Sequence, residues 1–350
     1  MPSVVTAEPG SEVRSPPTVS VVIAVRNGAL YLEACLTALD QSTLQPAECI
    51  VVDDASADAC DETARRHGAT SVRMESNVGS FVARSVAAQQ AHGEILLFLD
   101  ADVCVRADTV ARVVEAFSRD PGLDAVIGSY DASPGAPDLL SQYRNLLHHW
   151  VHQNARSEAA TFWTGCGAIR RSVFEACGGF MLEYRYAGDI ALGYVLKRAG
   201  RKIVLDKDLL VKHMKYWSFP QIVRTDIFCR AATWTELILR FRQMPNDLNV
   251  RVGQRISVAA LFLSVLLLAG IVWHPSFWWA APLGALLCGY IILNRAFFVF
   301  LIRRRGAWFA LLCVPLYLVY HLCCGAGLAV GVWRYSRGKA SERSAAAQSC

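Results

Sequence analysis

From residue 18 to residue 100, short apolar runs alternate with segments in which apolar residues recur every three or four positions. The first run, residues 19–25, is rich in β-branched residues, which is typical of a parallel strand buried on both faces of a sheet. We predict strands at residues 19–25, 49–52, 71–75 and 95–99. In the segments between these strands, the apolar residues have the spacing of helices that cover such a sheet. This alternation predicts a doubly wound α/β sheet, within a domain that we place at residues 18–230.

Beyond residue 255 the pattern changes to long apolar segments without charge. Three of them, at about residues 256–273, 277–293 and 308–333, approach or exceed the ~20 residues that a helix needs to cross a bilayer. A buried helical core is the alternative, but three such segments in succession, with tryptophans at their ends, favour membrane crossings. We therefore predict a transmembrane region of about three helices at residues 256–335.

Shorter stretches complete the predicted organisation. Residues 1–17 are rich in Pro and Ser and lack the basic start and apolar run of a signal peptide, so we expect a disordered lead-in. We assign residues 231–255 to an interfacial linker and residues 336–350 to a disordered tail. Residues 296–302, flanked by arginines, either extend the second crossing or lie along the membrane surface.

The positive charge surplus lies mostly beside the apolar segments. The net charge is +5, and Arg251, Arg255 and residues 303–305 flank the predicted crossings. An anionic membrane surface explains this better than a nucleic-acid partner, which we do not expect. The positive-inside rule then predicts a multi-pass protein of the inner membrane with a cytoplasmic first domain. Three crossings would leave Arg334 outside, so a re-entrant last segment is the alternative.

Polar residues follow three of the predicted strands at the point where each one ends. They are Arg26 after the first, Asp53 and Asp54 after the second, and Asp100 and Asp102 after the fourth. The carboxyl ends of parallel strands share one edge, where α/β sheets bind ligands. Asp100 and Asp102 either close the strand in a solvated turn or hold a cation, and the convergence of the three clusters favours the cation.

Five segments, in this order, resemble family 2 glycosyltransferases of the GT-A fold that carry a C-terminal membrane anchor. They are VSVVIAVRNGALYLEACLTAL, IVVDDASAD, NVGSFVARSVAAQQAHGE, LLFLDADV and TGCGAIRRSVFEACGGF. The resemblance covers about residues 18–215. It implies a nucleotide-sugar donor and a divalent cation, Mg²⁺ or Mn²⁺. Such a cation prefers carboxylate oxygens and offsets the charge that builds on a departing diphosphate.

The resemblance also implies roles on the donor side of the site. Asp102 would be a metal ligand, and Asp100 would contact the ribose or the donor sugar. His213 is either a second metal ligand or a simple polar residue.

The same resemblance places the nucleotide. Asp54 would accept a hydrogen bond from the imide N–H of a uracil, and Asp53 would either assist or cap the following turn. The other expected nucleotide contacts are Ala24, Arg26 and Arg84.

On the acceptor side, the resemblance makes Gly165, Cys166 and Gly167 a loop beneath the donor sugar. Asp189 would be the general base that takes a proton from an acceptor hydroxyl. Gly188 stands where the family usually has Glu, which is a departure from its pattern.

Taken together, these features predict a membrane-anchored, metal-dependent, inverting glycosyltransferase that moves a sugar from a nucleotide donor, foremost a UDP-sugar, to a lipid or membrane-associated acceptor. A polyprenyl-phosphate sugar synthase and a non-catalytic membrane scaffold that binds sugar nucleotides are the alternatives. His148 and His152 are four residues apart on a predicted helix, so they either share a metal or form part of an aromatic face.

Overall fold

A computed structural model describes residues 15–274 and 276–348. Most of the predicted lead-in, residues 1–14, lies outside the described residues, as does Pro275. The fold is built on one eight-stranded sheet in the order β3-β2-β1-β4-β7-β6-β8-β5. Its strands are β1 (Val19–Val25), β2 (Glu48–Asp53), β3 (Thr70–Arg73), β4 (Ile95–Asp100), β5 (Val103–Cys104), β6 (Ala125–Tyr130), β7 (Cys166–Arg170) and β8 (Ile203–His213).

Helices cover both faces of this sheet. The first set is α1 (Ala29–Asp40), α2 (Cys60–Arg66), α3 (Ser80–Gln90), α4 (Thr109–Arg119), α5 (Leu139–Gln153), α6 (Arg171–Ala176) and α7 (Gly188–Arg198). Helices α1, α2 and α4 pack on the face that carries Val21 and Ile23, and the others pack on the face that carries Val22. Alternate side chains of one strand thus enter two different cores, which confirms the prediction of a doubly wound α/β sheet.

The first four predicted strands form the parallel half of the sheet. β1 pairs in parallel with both β2 and β4, and β2 pairs with β3. Beyond β4 the sheet becomes mixed, because β7 lies antiparallel between β4 and β6. This arrangement gathers the carboxyl ends of β1 and β4 at one edge, beside the loop that precedes β7.

A second group of helices follows β8. They are α8 (Phe219–Arg224), a π-helical segment (Thr225–Ala231), α9 (Ala232–Phe241), α10 (Val252–Trp273), α11 (Ala280–Arg305) and α12 (Ala307–Gln348). The last three include apolar stretches of 22, 26 and 32 residues, long enough to cross a membrane by length and composition. Residues 296–302 are part of α11, so they extend the helix of the second predicted crossing and do not form a separate segment along the surface. Residues 336–348, predicted as a disordered tail, continue α12 instead.

A polar network joins the three long helices in their apolar region. Asn294 of α11 donates to Ser257 of α10 at 2.9 Å and accepts from Tyr317 of α12 at 2.9 Å. His321 is hydrogen-bonded to Tyr290 and to Gln254. Because lipid chains offer no hydrogen-bond partners, such a network fixes the helices against one another.

The long helices are also attached to the sheet domain. Arg305, the last residue of α11, donates to the backbone oxygen of Ala132 and to the side chain of Gln142, each at 3.1 Å. Phe300 packs against Trp150 of α5, with ring centroids 5.1 Å apart. One continuous apolar core therefore runs from the sheet into the helices.

Two glycines of α12 allow close contact with the segment that follows α8. A Cβ atom on Gly327 would lie 2.4 Å from the Cβ of Ala231, and one on Gly331 would lie 2.5 Å from the backbone oxygen of Ala232. The spacing of four residues puts both glycines on one face of the helix. The π-helical segment and α9 are therefore seated directly on α12.

We expect Gly331→Leu to separate α9 from α12, because the new side chain has no room against Ala232 and Thr235. The cost should be about 1–3 kcal/mol, visible as a lower midpoint of thermal unfolding in detergent. Gly338→Leu on the same helix is the matched control, since a Cβ there meets nothing within 4 Å. Equal midpoints for the two variants would contradict this packing.

Candidate active site

A cavity of about 620 Å³ opens at the edge of the sheet where β1 and β4 end. It also borders the loop before β7, the start of α7 and the end of β8. Seven of the residues proposed from the sequence line it: Ala24, Arg26, Arg84, Asp100, Asp102, Asp189 and His213. Their positions along the chain are far apart, so the fold brings them to one place.

Asp100 ends β4 and is paired with a buried arginine of α3. Nη2 of Arg84 lies 2.5 Å from Oδ1 of Asp100, and the Arg84 side chain is only 5% exposed. The Nε–H of Arg84 is buried without a partner among the described residues. Arg84 therefore has one N–H donor that makes no hydrogen bond among the described residues. Only Oδ1 of Asp100 is paired with Arg84, which leaves Oδ2 as an acceptor for a ligand.

Asp102 faces two basic side chains from β8 and the residues that follow it. His213 Nε2 and Lys215 Nζ each lie 3.7 Å from Oδ2 of Asp102. Their position is set by the short strand β5, in which Val103 pairs with His213. Burial raises the pKa of Asp102, but hydrogen bonding and charge from His213, together with Lys215, outweigh it and hold that pKa below its ordinary value. The carboxylate is thus ionised at neutral pH.

This pair of side chains fits a divalent cation. Two neighbouring ligands of one octahedral Mg²⁺, each about 2.1 Å from the ion, are about 3.0 Å apart. The 3.7 Å between Oδ2 of Asp102 and Nε2 of His213 is within reach of that value after a small side-chain rotation. A carboxylate oxygen and an imidazole nitrogen also suit Mn²⁺. No group of three His, Cys, Asp or Glu residues in the described part of the chain is arranged to hold a metal. Further ligands would have to come from substrate and water.

Asp189 lies in the first turn of α7 and also lines the cavity. Its Oδ1 accepts from the N–H of Ile190 at 2.8 Å, and its Oδ2 accepts from the N–H of Thr164 at 3.3 Å. Burial raises the pKa of Asp189, and these two N–H groups oppose the rise. A carboxylate with a raised pKa is a better proton acceptor than an ordinary one.

The structure explains the glycine that precedes Asp189. A Cβ atom on Gly188 would lie 2.8 Å from the ring of Phe81, which packs in turn on Phe180. Phe81 lines the cavity and fills the space that a larger side chain at position 188 would need. Gly188 is therefore required by this packing.

Asp53 and Asp54 do not line the cavity. Asp54 is buried, and its two oxygens accept from Asn77 Nδ2 and from the N–H groups of Val78 and Gly79 at 2.7–3.0 Å. Asp53 accepts from Ser56 N–H and from Arg73. Both carboxylates hold the loops around the ends of β2 and β3. A contact between Asp54 and a nucleobase would therefore come in addition to the three hydrogen bonds that Asp54 already accepts.

The segment expected to be an acceptor loop differs from that expectation. Cys166 and Gly167 belong to strand β7, where they pair with Leu99 and Phe98 and are buried. Gly165 precedes the strand and packs against Trp163, because a Cβ there would lie 2.2 Å from the indole ring. Since β7 is part of the sheet, it is Trp163 and Thr164, and not these three residues, that line the cavity.

Gly165→Ala is expected to push the Trp163 indole from its place on the cavity wall. We expect sugar transfer to fall by roughly 10–100-fold, since a misplacement of about 1 Å at a site carries such a cost. The loss should appear in kcat/KM together with a changed tryptophan emission. Gly253→Ala is the control, because a Cβ at Gly253 meets nothing within 4 Å. An unchanged emission and rate would contradict this role of Gly165.

An aromatic cluster forms one wall of the cavity, and the sequence assigned only its His213 to the site. It consists of Tyr130, His148, His152, Trp163 and His213. Tyr130 stacks on the His213 ring with centroids 4.2 Å apart and also contacts His148 at 4.4 Å. This contact with Tyr130 holds His213 beside Asp102. For His148 and His152 the only sequence signal was their spacing of four residues, and Tyr130 and Trp163 had none.

The histidines of α5 are neutral in this cluster. Burial lowers the pKa of His148 well below its ordinary value, and His152, Arg230, His213 and Arg144 lower it further. Burial likewise lowers the pKa of His152 to about 4, although its Nδ1 lies 3.1 Å from the Gly128 backbone oxygen. The two rings are in contact, with centroids 4.0 Å apart and planes tilted by 36°. They act as part of the aromatic wall.

Two further arginines line the cavity on the side of the long helices. Arg144 of α5 and Arg230 of the π-helical segment share one carboxylate, that of Asp226, at 2.7 Å and 3.4 Å. Asp226 and the Arg144 side chain are buried. Sequence reasoning missed this group, because Arg144 and Asp226 are 82 residues apart in the chain.

Known proteins resemble this chain in sequence. Residues 20–178 match the family described as "Glycosyl transferase family 2". Glycosyltransferase AglE of Haloferax volcanii is 26% identical over 269 residues, which are 74% of this chain and 83% of that protein.

Two solved structures share the fold. The mannosyltransferase PcManGT from Pyrobaculum calidifontis, in complex with GDP-Man and Mn²⁺, superimposes with a TM-score of 0.56 at 19% identity, covering 91% of this chain and 88% of that one. S. aureus TarS 1-349 with UDP-GlcNAc gives 0.50 at 17% identity, covering 88% and 91%. Together with the mixed sheet, these matches identify residues 20–178 as a family 2 glycosyltransferase domain of the GT-A fold, followed by apolar helices that fit a membrane anchor.

Proposed function

We propose that the protein is a membrane-anchored, metal-dependent, inverting glycosyltransferase that transfers a sugar from a nucleotide donor to a lipid-borne acceptor. The observation that carries the proposal is the convergence of Asp100, Asp102 and Asp189 on one cavity. Each carboxylate has a different set of partners, so each suits a different task.

The donor would lie along the ends of β1 and β4. Ala24 and Arg26 border the cavity there, and Asp100, held by Arg84, would accept hydrogen bonds from sugar hydroxyls. Solved structures of the same fold carry GDP-Man or UDP-GlcNAc. A UDP-sugar is the donor that we favour, with Asp54 adding a contact from the loop behind.

Asp102 and His213 would hold a divalent cation, Mg²⁺ or Mn²⁺. Mn²⁺ accompanies GDP-Man in the PcManGT structure. When bound, the ion offsets the negative charge that develops on the departing diphosphate. Lys215 adds a second positive charge on the same side of the cavity.

Asp189 would accept the proton of an acceptor hydroxyl while that oxygen attacks the anomeric carbon. The new bond forms as the bond to the diphosphate breaks, and attack from the opposite face inverts the configuration at that carbon. The raised pKa of Asp189 supports the assignment, as does its place in the lining of the cavity that Asp102 also lines.

The three long helices would anchor the enzyme as a multi-pass protein of the inner membrane, with the cavity on the cytoplasmic side. The arginines around Arg251 and at residues 303–305 support this orientation. Tethering to a bilayer raises the effective concentration of an acceptor confined to the same bilayer.

The test uses the full chain in vesicles made from a bacterial lipid extract, with radiolabelled UDP- and GDP-sugars and Mn²⁺. We expect one donor to give labelled lipid and an equal amount of nucleoside diphosphate, and chelation of the metal to stop both. Donor binding without any transfer would support the non-catalytic scaffold instead and would overturn the proposal.

A further inference from the structure

A second cavity lies among the helices and adjoins the active-site cavity. Its volume is about 290 Å³, and its walls come from the π-helical segment, α9, α10 and α12. Most of the lining side chains are apolar, such as Ile238, Val258 and Leu328. Arg230, Trp234 and Asn249 line both cavities, so the two share a wall.

This second cavity, which we call the bundle cavity, reaches the lipid-facing surface of the helices. Leu328 lines it and is also 53% exposed on α12. A volume of about 290 Å³ is at the lower end for small-molecule pockets. It would therefore take a segment of an apolar chain whose remainder stays in the bilayer.

The shared wall carries an excess of positive charge. Arg144 and Arg230 are held by a single carboxylate, that of Asp226, so one of the two charges has no counter-charge among the described salt bridges. Arg255 also lines the bundle cavity, and its guanidinium contacts the sulfur of Met244. Because an uncompensated charge at a partly buried site is costly, this arrangement favours an anionic ligand.

Arg230 is also close to the reaction centre. It lines the active-site cavity together with Asp102 and Asp189. It lies in the π-helical segment that packs on α12 at Gly327, so its position is fixed relative to the bundle cavity. A ligand with its chain in the bundle cavity would present its first polar group to Arg230.

We propose that the bundle cavity binds the apolar chain of the acceptor lipid, and that Arg230, supported by Asp226, binds a phosphate group that joins this chain to the reacting headgroup. The inference rests on the proposed function and deepens it, because it names the acceptor as an anionic lipid. It also gives Asp226 a positioning role, since this carboxylate holds both Arg144 and Arg230.

The first test measures lipid binding without any sugar donor. A photoreactive polyprenyl phosphate and the matching polyprenol are offered to the full chain in neutral phosphatidylcholine vesicles. We expect the phosphate to label residues of the bundle cavity, and Arg230→Gln to weaken its binding by about tenfold or more while the polyprenol is unaffected. Arg224→Gln, an exposed arginine of α8, is the matched control.

A second variant tests the place of the chain. Val258→Trp fills the bundle cavity from α10, whereas Val272→Trp places the same side chain on an exposed position of the same helix. We expect only Val258→Trp to reduce labelling by both probes. Equal labelling of both variants, or equal affinity of Arg230→Gln and wild type for the phosphate, would overturn the inference.

The two proposals fail separately. Transfer to lipid that is unchanged in both Val258→Trp and Arg230→Gln would leave the glycosyltransferase proposal intact and remove the bundle cavity as acceptor site. If the phosphate probe labelled the cavity in a protein that transfers no sugar, the bundle cavity would stand as a lipid site and the glycosyltransferase proposal would fail.

Discussion

Replacing Asp102 by asparagine is expected to lower the rate of sugar transfer by about 10²–10³-fold, because the variant loses the charge that would hold the cation at the diphosphate. The geometry beside it, set by the pairing of Val103 with His213, should persist, since asparagine has nearly the same shape. The measurement is release of nucleoside diphosphate as a function of Mn²⁺ concentration. The variant should need far more metal for half its maximal rate.

Asp108→Asn is the matched control for this experiment. Asp108 is close in sequence, but it is a half-exposed residue that pairs with Arg112 on α4, outside the cavity. Its loss should leave both the rate and the metal titration unchanged. If Asp102→Asn had the same metal titration as this control, Asp102 would not be a metal ligand.

Asp189→Asn is expected to reduce transfer by about 10²–10⁴-fold, because asparagine keeps the size of the side chain but cannot accept a proton. The pH profile gives a second readout. A general base works only when deprotonated, and burial raises the pKa of Asp189. Wild-type activity should therefore fall as the pH is lowered through that raised pKa, and the residual activity of the variant should lack this fall.

Glu183→Gln, an exposed carboxylate paired with Arg240, is the control for Asp189. It should keep both the rate and the pH profile of the wild type. A mild effect of Asp189→Asn with an unchanged profile would show that the acceptor needs no base. That result would be expected if a phosphate oxygen, as in a polyprenyl-phosphate sugar synthase, were the attacking atom.

Local signals made the parallel half of the sheet predictable. The runs at 19–25 and 95–99 correspond to β1 and β4 within one residue, because short apolar runs bounded by polar residues depend little on the rest of the chain. The mixed half depends on distant pairing, such as that of Leu99 with Cys166. A glycine-containing segment was therefore expected to be a loop, although it forms a central strand.

The candidate site was predictable where its residues follow strands. Arg26, Asp100 and Asp102 are at strand ends, and topology alone brings these ends together. The pairing of Arg144 and Arg230 was not predictable, because their shared partner Asp226 is remote in sequence from Arg144 and lies in a π-helical segment. Such segments leave no recognisable pattern of apolar residues, yet they often occur at functional sites.

The attachment of Arg305 to Ala132 and Gln142 has a consequence for substrate choice. A domain on a flexible tether samples many heights above a bilayer, whereas this domain is hydrogen-bonded to the end of α11, a helix that fits a membrane anchor. The distance between the active site and the end of α11 is therefore fixed. We expect such an enzyme to select acceptors by height and to reject those whose reactive oxygen projects too far from, or too near to, the lipid surface.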